Sequence, residues 1–256
     1  MTDPILLEVA DNVATITLNQ PEQLNALSRG AMEAFEKAIR GMGEFDGIRA
    51  VIITGAGRAF CAGGNLAEFK QALEHDRHCL LDVLAYNQTV LQLVEDIPVP
   101  VIGAANGTAV AGGLELLLCC DIVIAARGAK FGDGHARYGV VPAGGASVRL
   151  PRKIGPARAA LLFYTAELVD AEVMEEWGLV SEVVPAERLM EHTRALAARI
   201  GRCSPEVLRR IKELTSARGS AWVTGSDEIE QFSEHVAGTD LVEGLRAFCE
   251  KREPIY

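Results

Sequence analysis

Apolar and polar residues alternate along ILLEV (5–9) and VATITL (13–18). That period of two predicts a pair of strands, and the turn-forming pair Asp11-Asn12 joins them. The period then lengthens. In AMEAFEKAIR (31–40) the apolar residues recur at helical spacing, and Ser28 stands where an N-cap belongs. IRAVIIT (48–54) is a short β-branched run suited to a strand buried on both faces. A glycine-rich segment follows, GAGRAFCAGGN (55–65), and residues 66 to 97 read as helix up to Pro98 and Pro100. The order then repeats: strand VPVIGAA (99–105), glycine segment ANGTAVAGGLE (105–115), an apolar helix near 113–119 and strand DIVIAA (121–126). From about 156 onward nearly everything is helical in pattern except VSEVV (180–184). Strand, loop and helix in alternation predict an α/β fold with helices outside a stacked parallel or mixed sheet. The expected division is an α/β core over 1–195 and a helical C-terminal region over 196–256.

Composition narrows the class of partner. The chain has 256 residues and a net charge of −10 from 25 basic and 35 acidic side chains, so no basic stripe is available for nucleic acid. AVAGGLELLLCCDIVIAA (109–126), the most apolar stretch, is interrupted by Glu115 and Asp121. A membrane helix needs about 20 uninterrupted apolar residues, so none is expected. MTDPILLEVADNV has no basic segment followed by an apolar one, which predicts no secretory signal. Six cysteines in no metal or disulfide spacing fit reduced, mostly buried thiols in a cytoplasmic protein.

Each glycine segment follows a buried strand and leads into a helix. Glycine lets the backbone approach a ligand closely, and the N–H groups at a helix start lack intrahelical partners. Two such turns face to face could form an oxyanion hole; a pair of purely structural turns explains the spacing equally well. A dinucleotide fingerprint is excluded because Phe60 stands where a third glycine would follow Gly55 and Gly57, and neither segment has the G-K-[ST] of a phosphate loop. Glu115 stands out as a carboxyl group among Leu114, Leu116 and Leu117, either a helix-start charge or an acid/base group. His75 and His78 have helical spacing but no further ligands beside them, so no metal site is expected.

AFCAGGNL (59–66), AANGTAVAGGLELLLCCDIVIAA (104–126), FGDGHARYGVVPAGG (131–145) and DLVEGLRAFCEKREP (240–254) resemble the crotonase, or enoyl-CoA hydratase/isomerase, family. The likeness begins at LLEVADNVATITLNQPEQLNAL (6–27) and runs to the end of the chain. The resemblance implies a spiral of ββα units with C-terminal helices that assemble trimers or dimers of trimers. It implies an acyl-CoA substrate, with no cofactor beyond the coenzyme A of that thioester. Gly64 and Gly112 would supply the oxyanion-hole amides and Glu115 the first of two catalytic glutamates. Ala62, Leu66, Phe232 and Lys251 would contact coenzyme A, with Arg58 a weaker candidate. Two positions depart from the family pattern. Asn65 stands where many relatives have aspartate, and His135 stands where a hydratase has its second glutamate. Imidazole can give or take a proton near neutral pH. Hydration therefore ranks first, with double-bond isomerisation, C–C hydrolysis of a β-diketone, or acyl-CoA binding with little turnover as alternatives. A modified hydratase site would be expected to gain activity from His135→Glu.

Overall fold

The computed structural model describes residues 3–215, 232 and 239–256. Asp11 and Asn12 take φ of 51° and 60°, the left-handed pair of a tight hairpin that Asp and Asn tolerate well. They fold β1 (Ile5–Ala10) antiparallel onto β2 (Val13–Leu18). The Ser28 side chain accepts the Ala31 N–H at 3.2 Å and starts α1 (Arg29–Gly41) as its N-cap.

A unit then recurs: long strand, glycine turn, short strand, helix. The first is β3 (Ala50–Gly55), β4 (Ala59–Cys61), α2 (Leu66–His75) and α3 (Arg77–Asp96). The predicted single helix over 66–97 is broken at Asp76, whose extended backbone ends α2 while its carboxylate caps α3 at the His78 N–H, 3.2 Å away. The second unit is β5 (Val101–Ala105), β6 (Thr108–Val110) and α4 (Gly112–Leu118). The third is β7 (Ile122–Ala126), β8 (Lys130–Gly132), a 3-10 turn at His135–Tyr138 and α5 (Ala146–Ile154). After α6 (Pro156–Thr165), β9 (Val169–Asp170) and α7 (Ala171–Trp177) comes β10 (Glu182–Val184), followed by α8 (Leu189–Ile200), α9 (Pro205–Thr215) and α10 (Asp240–Glu250).

The long strands form one sheet in the order β1-β2-β3-β5-β7-β10, parallel from β2 onward. The short ones form a second, β4-β6-β8-β9. The chain thus spirals, laying one strand in each sheet per turn. Alternation along the long strands divides two cores. Val51, Ile53, Val101 and Val123 face the inter-sheet core; Ala50, Ile52, Ile102 and Ile124 face the other side with Ala197 of α8. Each such fully buried Val or Ile contributes about 1.5–3 kcal/mol. Because α8 packs on that outer face and runs from 189 to 200, a boundary between 195 and 196 falls within a helix. Lys212 of α9 reaches Asp121 at 2.7 Å and the Val99 carbonyl at 3.0 Å, tying the C-terminal helices to the ends of the central strands.

Among the described residues no helix is long and apolar enough to cross a membrane. All six thiols are free; Cys61, Cys119 and Cys120 are buried, Cys79 is half-buried, and Cys203 and Cys249 are exposed.

Candidate active site

Two asparagines, Asn25 buried and Asn106 half-buried, fix the first glycine turn. Asn25, 2 % exposed, donates to the carbonyls of Ala56 and Ala59 at 2.9 Å each, and the Asn106 Oδ1 accepts the Gly55 N–H at 3.0 Å. Further on, the Leu27 N–H donates to the Gly63 carbonyl at 2.8 Å. Asn65 caps α2, its Oδ1 accepting the Ala67 and Glu68 amides at 3.1 and 3.3 Å, so the amide oxygen does what an aspartate would do there.

The second turn meets the first at close range. Ala111 takes φ 51°, ψ −118° just ahead of α4, a conformation that costs an L residue about 1–3 kcal/mol. That strain aims the start of α4 at the first turn. A Cβ on Gly112 would lie 3.4 Å from the Gly64 nitrogen and 3.1 Å from Leu27 Cδ1, so the two turns are in van der Waals contact. No hydrogen bond among the described residues uses the N–H of Gly64 or of Gly112. An oxygen placed between the turns would find both donors free.

One turn into α4, Glu115 is 4 % exposed. Its Oε1 accepts the Gly144 N–H at 2.8 Å and the Ala146 N–H at 3.1 Å. A Cβ on Gly144 would lie 2.4 Å from Glu115 Oε2, so a side chain there displaces the carboxylate. Arg149 holds this loop from behind, donating to the Gly144 carbonyl at 2.7 Å while paired through two nitrogens with Glu95 at 2.7 and 2.8 Å. Glu115 Oε2 is left facing His135 Nε2 at 4.0 Å.

The other face of that imidazole carries a partner absent from the sequence reading. Buried Asp133 lies 2.9 Å from His135 Nδ1 through Oδ1, and its Oδ2 accepts the His135 N–H at 3.3 Å. The carboxylate selects the tautomer with hydrogen on Nδ1 and leaves Nε2 for the cavity. Burial works against the ring's positive charge, but the hydrogen bond and charge of Asp133, with the charge of Glu115 added, outweigh it and raise the His135 pKa above the ordinary imidazole value. The spacing D-G-H, an acidic residue two positions before histidine within a turn, is the signal that marks Asp133 in the sequence.

These groups line two connected spaces. An outer cavity of about 360 Å³ is bounded by Ala62, Gly64, Leu66, His135, Arg137 and Tyr138. An inner chamber of about 40 Å³ is bounded by Gly64, Gly112, Glu115, His135, Asn87 and Leu91, among others. Gly64 and His135 belong to both.

An enoyl-CoA hydratase/isomerase model matches residues 8–256. The chain belongs to that family. It is 37 % identical over 261 residues to the "Probable enoyl-CoA hydratase echA8" of Mycobacterium tuberculosis, covering 99 % of this chain and 98 % of that one. It is 34 % identical to the crotonyl-CoA hydratase of Syntrophomonas wolfei, with 97 % and 96 % covered. The crystal structure of an enoyl-CoA hydratase from Bacillus anthracis superposes with a TM-score of 0.92 at 35 % identity, over 99 % of this chain and 98 % of that one.

Of the residues singled out in this family member from its sequence, Gly64, Gly112, Glu115 and His135 converge on the inner chamber, and Ala62 and Leu66 line the outer one. Phe232, 54 % exposed, and the exposed Lys251 line neither, and Arg58 is also exposed away from them. Arg137, at the outer cavity, was not singled out: on sequence it is one of many surface cations. His75 and His78 are both exposed, and no cluster of three metal-ligating side chains occurs among the described residues.

Proposed function

We propose that the protein hydrates a 2-enoyl-CoA, with Glu115 and His135 as its acid/base pair. The observation that carries this reading is the 4.0 Å gap between Glu115 Oε2 and His135 Nε2 beside two free amides. A water about 2.8 Å from both atoms subtends an angle of roughly 90° between them, so one molecule bridges the gap. Isomerisation has no use for such a position.

The thioester oxygen accepts the N–H groups of Gly64 and Gly112. Glu115 takes a proton from the bridging water as its oxygen bonds to C3, and the C2=C3 electron pair moves into the thioester as an enolate. Protonated His135 then delivers hydrogen from Nε2 to C2, and the enolate collapses to the 3-hydroxyacyl thioester. Glu115 ends protonated and His135 neutral; passing one proton from carboxyl to imidazole restores the pair. Each amide aimed at the developing oxyanion contributes about 10²–10³ in rate. Arg137 at the outer cavity is a cation for the coenzyme's phosphates, and Phe232 and Lys251 would reach that end of the ligand from another subunit of a trimer or dimer of trimers, assembled through the C-terminal helices. The chemistry asks for no cofactor beyond the coenzyme A of the substrate.

The test is loss of the enoyl thioester absorbance of crotonyl-CoA. Glu115→Gln should lower the rate by about 10²–10⁴. Absence of hydration by the wild type, or full activity in Glu115→Gln, would overturn the proposal.

A further inference from the structure

The two protonation states of His135 suit different steps. Charged, the ring gives hydrogen from Nε2. Neutral, with its hydrogen on Nδ1 toward Asp133 2.9 Å away, it turns the Nε2 lone pair into the chamber, 4.0 Å from Glu115 Oε2. A base oriented by a buried carboxylate, within reach of a water and beside unpaired backbone amides, is equipped to attack an acyl carbon.

The amides also locate that carbon. An oxygen held by the N–H groups of Gly64 and Gly112 has the thioester carbon one bond away, about 1.2 Å, whatever the rest of the acyl chain does. Gly64, Gly112, Glu115 and His135 line a single chamber of about 40 Å³, so the water bridging Glu115 and His135 shares that space with the carbon. Hydration sends this water to C3. In a saturated acyl group C3 is no electrophile, and the carbonyl carbon is the one left to attack.

We infer that the protein also hydrolyses acyl-CoA thioesters, with neutral His135 as general base, releasing a free carboxylic acid and coenzyme A. The inference rests on the acyl-CoA reading above. His135 Nε2 takes a proton from the water as its oxygen bonds to the carbonyl carbon, and the C=O electron pair moves onto the oxygen between the two amides. As that pair returns, the C–S bond breaks; sulfur leaves with the bonding pair and takes the proton back from Nε2. Asp133 and Glu115 are the charges that act on the ring. The rest of the lining of both spaces carries no titratable group except Arg137 and Tyr138 of the same turn. Hydrolysis therefore rises as pH passes up through the His135 pKa, where hydration falls.

Butanoyl-CoA, which cannot be hydrated, isolates the reaction, with released thiol followed by a chromogenic disulfide. The wild type should release thiol at least about tenfold faster than the spontaneous reaction, and the rate should climb from about pH 6 to pH 9. His135→Gln, with folding checked by circular dichroism and butanoyl-CoA binding by calorimetry, should lose about 10²–10⁴ of the rate. Asp133→Asn should shift the climb to lower pH. No release above the spontaneous rate by a wild type that binds butanoyl-CoA, a His135→Gln rate equal to the wild type's, or a pH profile unmoved in Asp133→Asn overturns the inference. A wild type that fails to bind butanoyl-CoA overturns the acyl-CoA reading and this inference together. Crotonyl-CoA hydration, assayed beside it, stands apart: thiol release without hydration keeps the hydrolase and loses the hydratase, and hydration without release does the reverse.

Discussion

Asp133→Asn isolates what the buried carboxylate does for His135. Volume is nearly unchanged, and asparagine can still accept the His135 backbone N–H that Asp133 Oδ2 now takes at 3.3 Å. What disappears is the negative charge 2.9 Å from Nδ1, between side chains that are only 2 % and 10 % exposed. A hydrogen bond to a charged group contributes about 1.5–3 kcal/mol, and at about 1.4 kcal/mol per factor of ten that loss corresponds to roughly a 10- to 150-fold change in the imidazolium population or its alignment. In the proposed hydration His135 is the proton donor, and a pKa raised above that of an ordinary imidazole favours its charged form. Without Asp133 the alkaline limb of kcat/KM should move to lower pH, and the rate at pH 7.5 should fall by that factor. Stability follows the same linkage. A histidine whose folded pKa exceeds its unfolded value of about 6.5 stabilises the fold below that value, and the contribution is lost as pH rises through the folded pKa. The variant should therefore lose more stability at mildly acid than at alkaline pH. The assay is crotonyl-CoA hydration across a pH series, paired with urea melts. An alkaline limb that stays in place, with an unchanged rate, would refute the role given to the Asp133–His135 pair.

Three further substitutions test the surrounding frame. Gly144→Ala puts a methyl group where Glu115 Oε2 now lies 2.4 Å away; displacing the carboxylate by about 1 Å should cost on the order of 10²-fold in kcat, read by the same assay. Arg149→Ala removes the paired guanidinium from Glu95, whose side chain is 16 % exposed and keeps the Gln92 amide at 2.8 Å, and takes the Arg149 hydrogen bond from the Gly144 carbonyl. It should cost about 1.5–3 kcal/mol in denaturant unfolding and also lower kcat. His135→Glu, which the family pattern alone presents as a gain, places a second carboxylate against Asp133, so the single variant should lose hydration and part of it should return with Asp133→Gln added.

Much of the fold was legible because period and turn chemistry are local. The strand–turn–strand at the N-terminus, the Ser28 cap and the buried run that became β3 each follow from neighbours within a few residues. The second sheet was not legible. AFC and TAV are three-residue strands inside segments that read as glycine loops, and KFG follows strand DIVIAA with no pattern of its own; all are too short to show a period, and only pairing with one another makes them strands. Asp76 was likewise hidden within a helical pattern it divides.

The sequence by itself determined an acidic α/β chain with two glycine turns and a glutamate in an apolar helix, because those are properties of residue type and order; the family resemblance added that His135 stands at the position of a second carboxylate. Tertiary structure alone decided that the Gly64 and Gly112 turns touch and that Gly144 and Ala146 hold Glu115. Contacts between positions 29 or 48 residues apart depend on how the spiral brings successive turns into register, and no local pattern records that register.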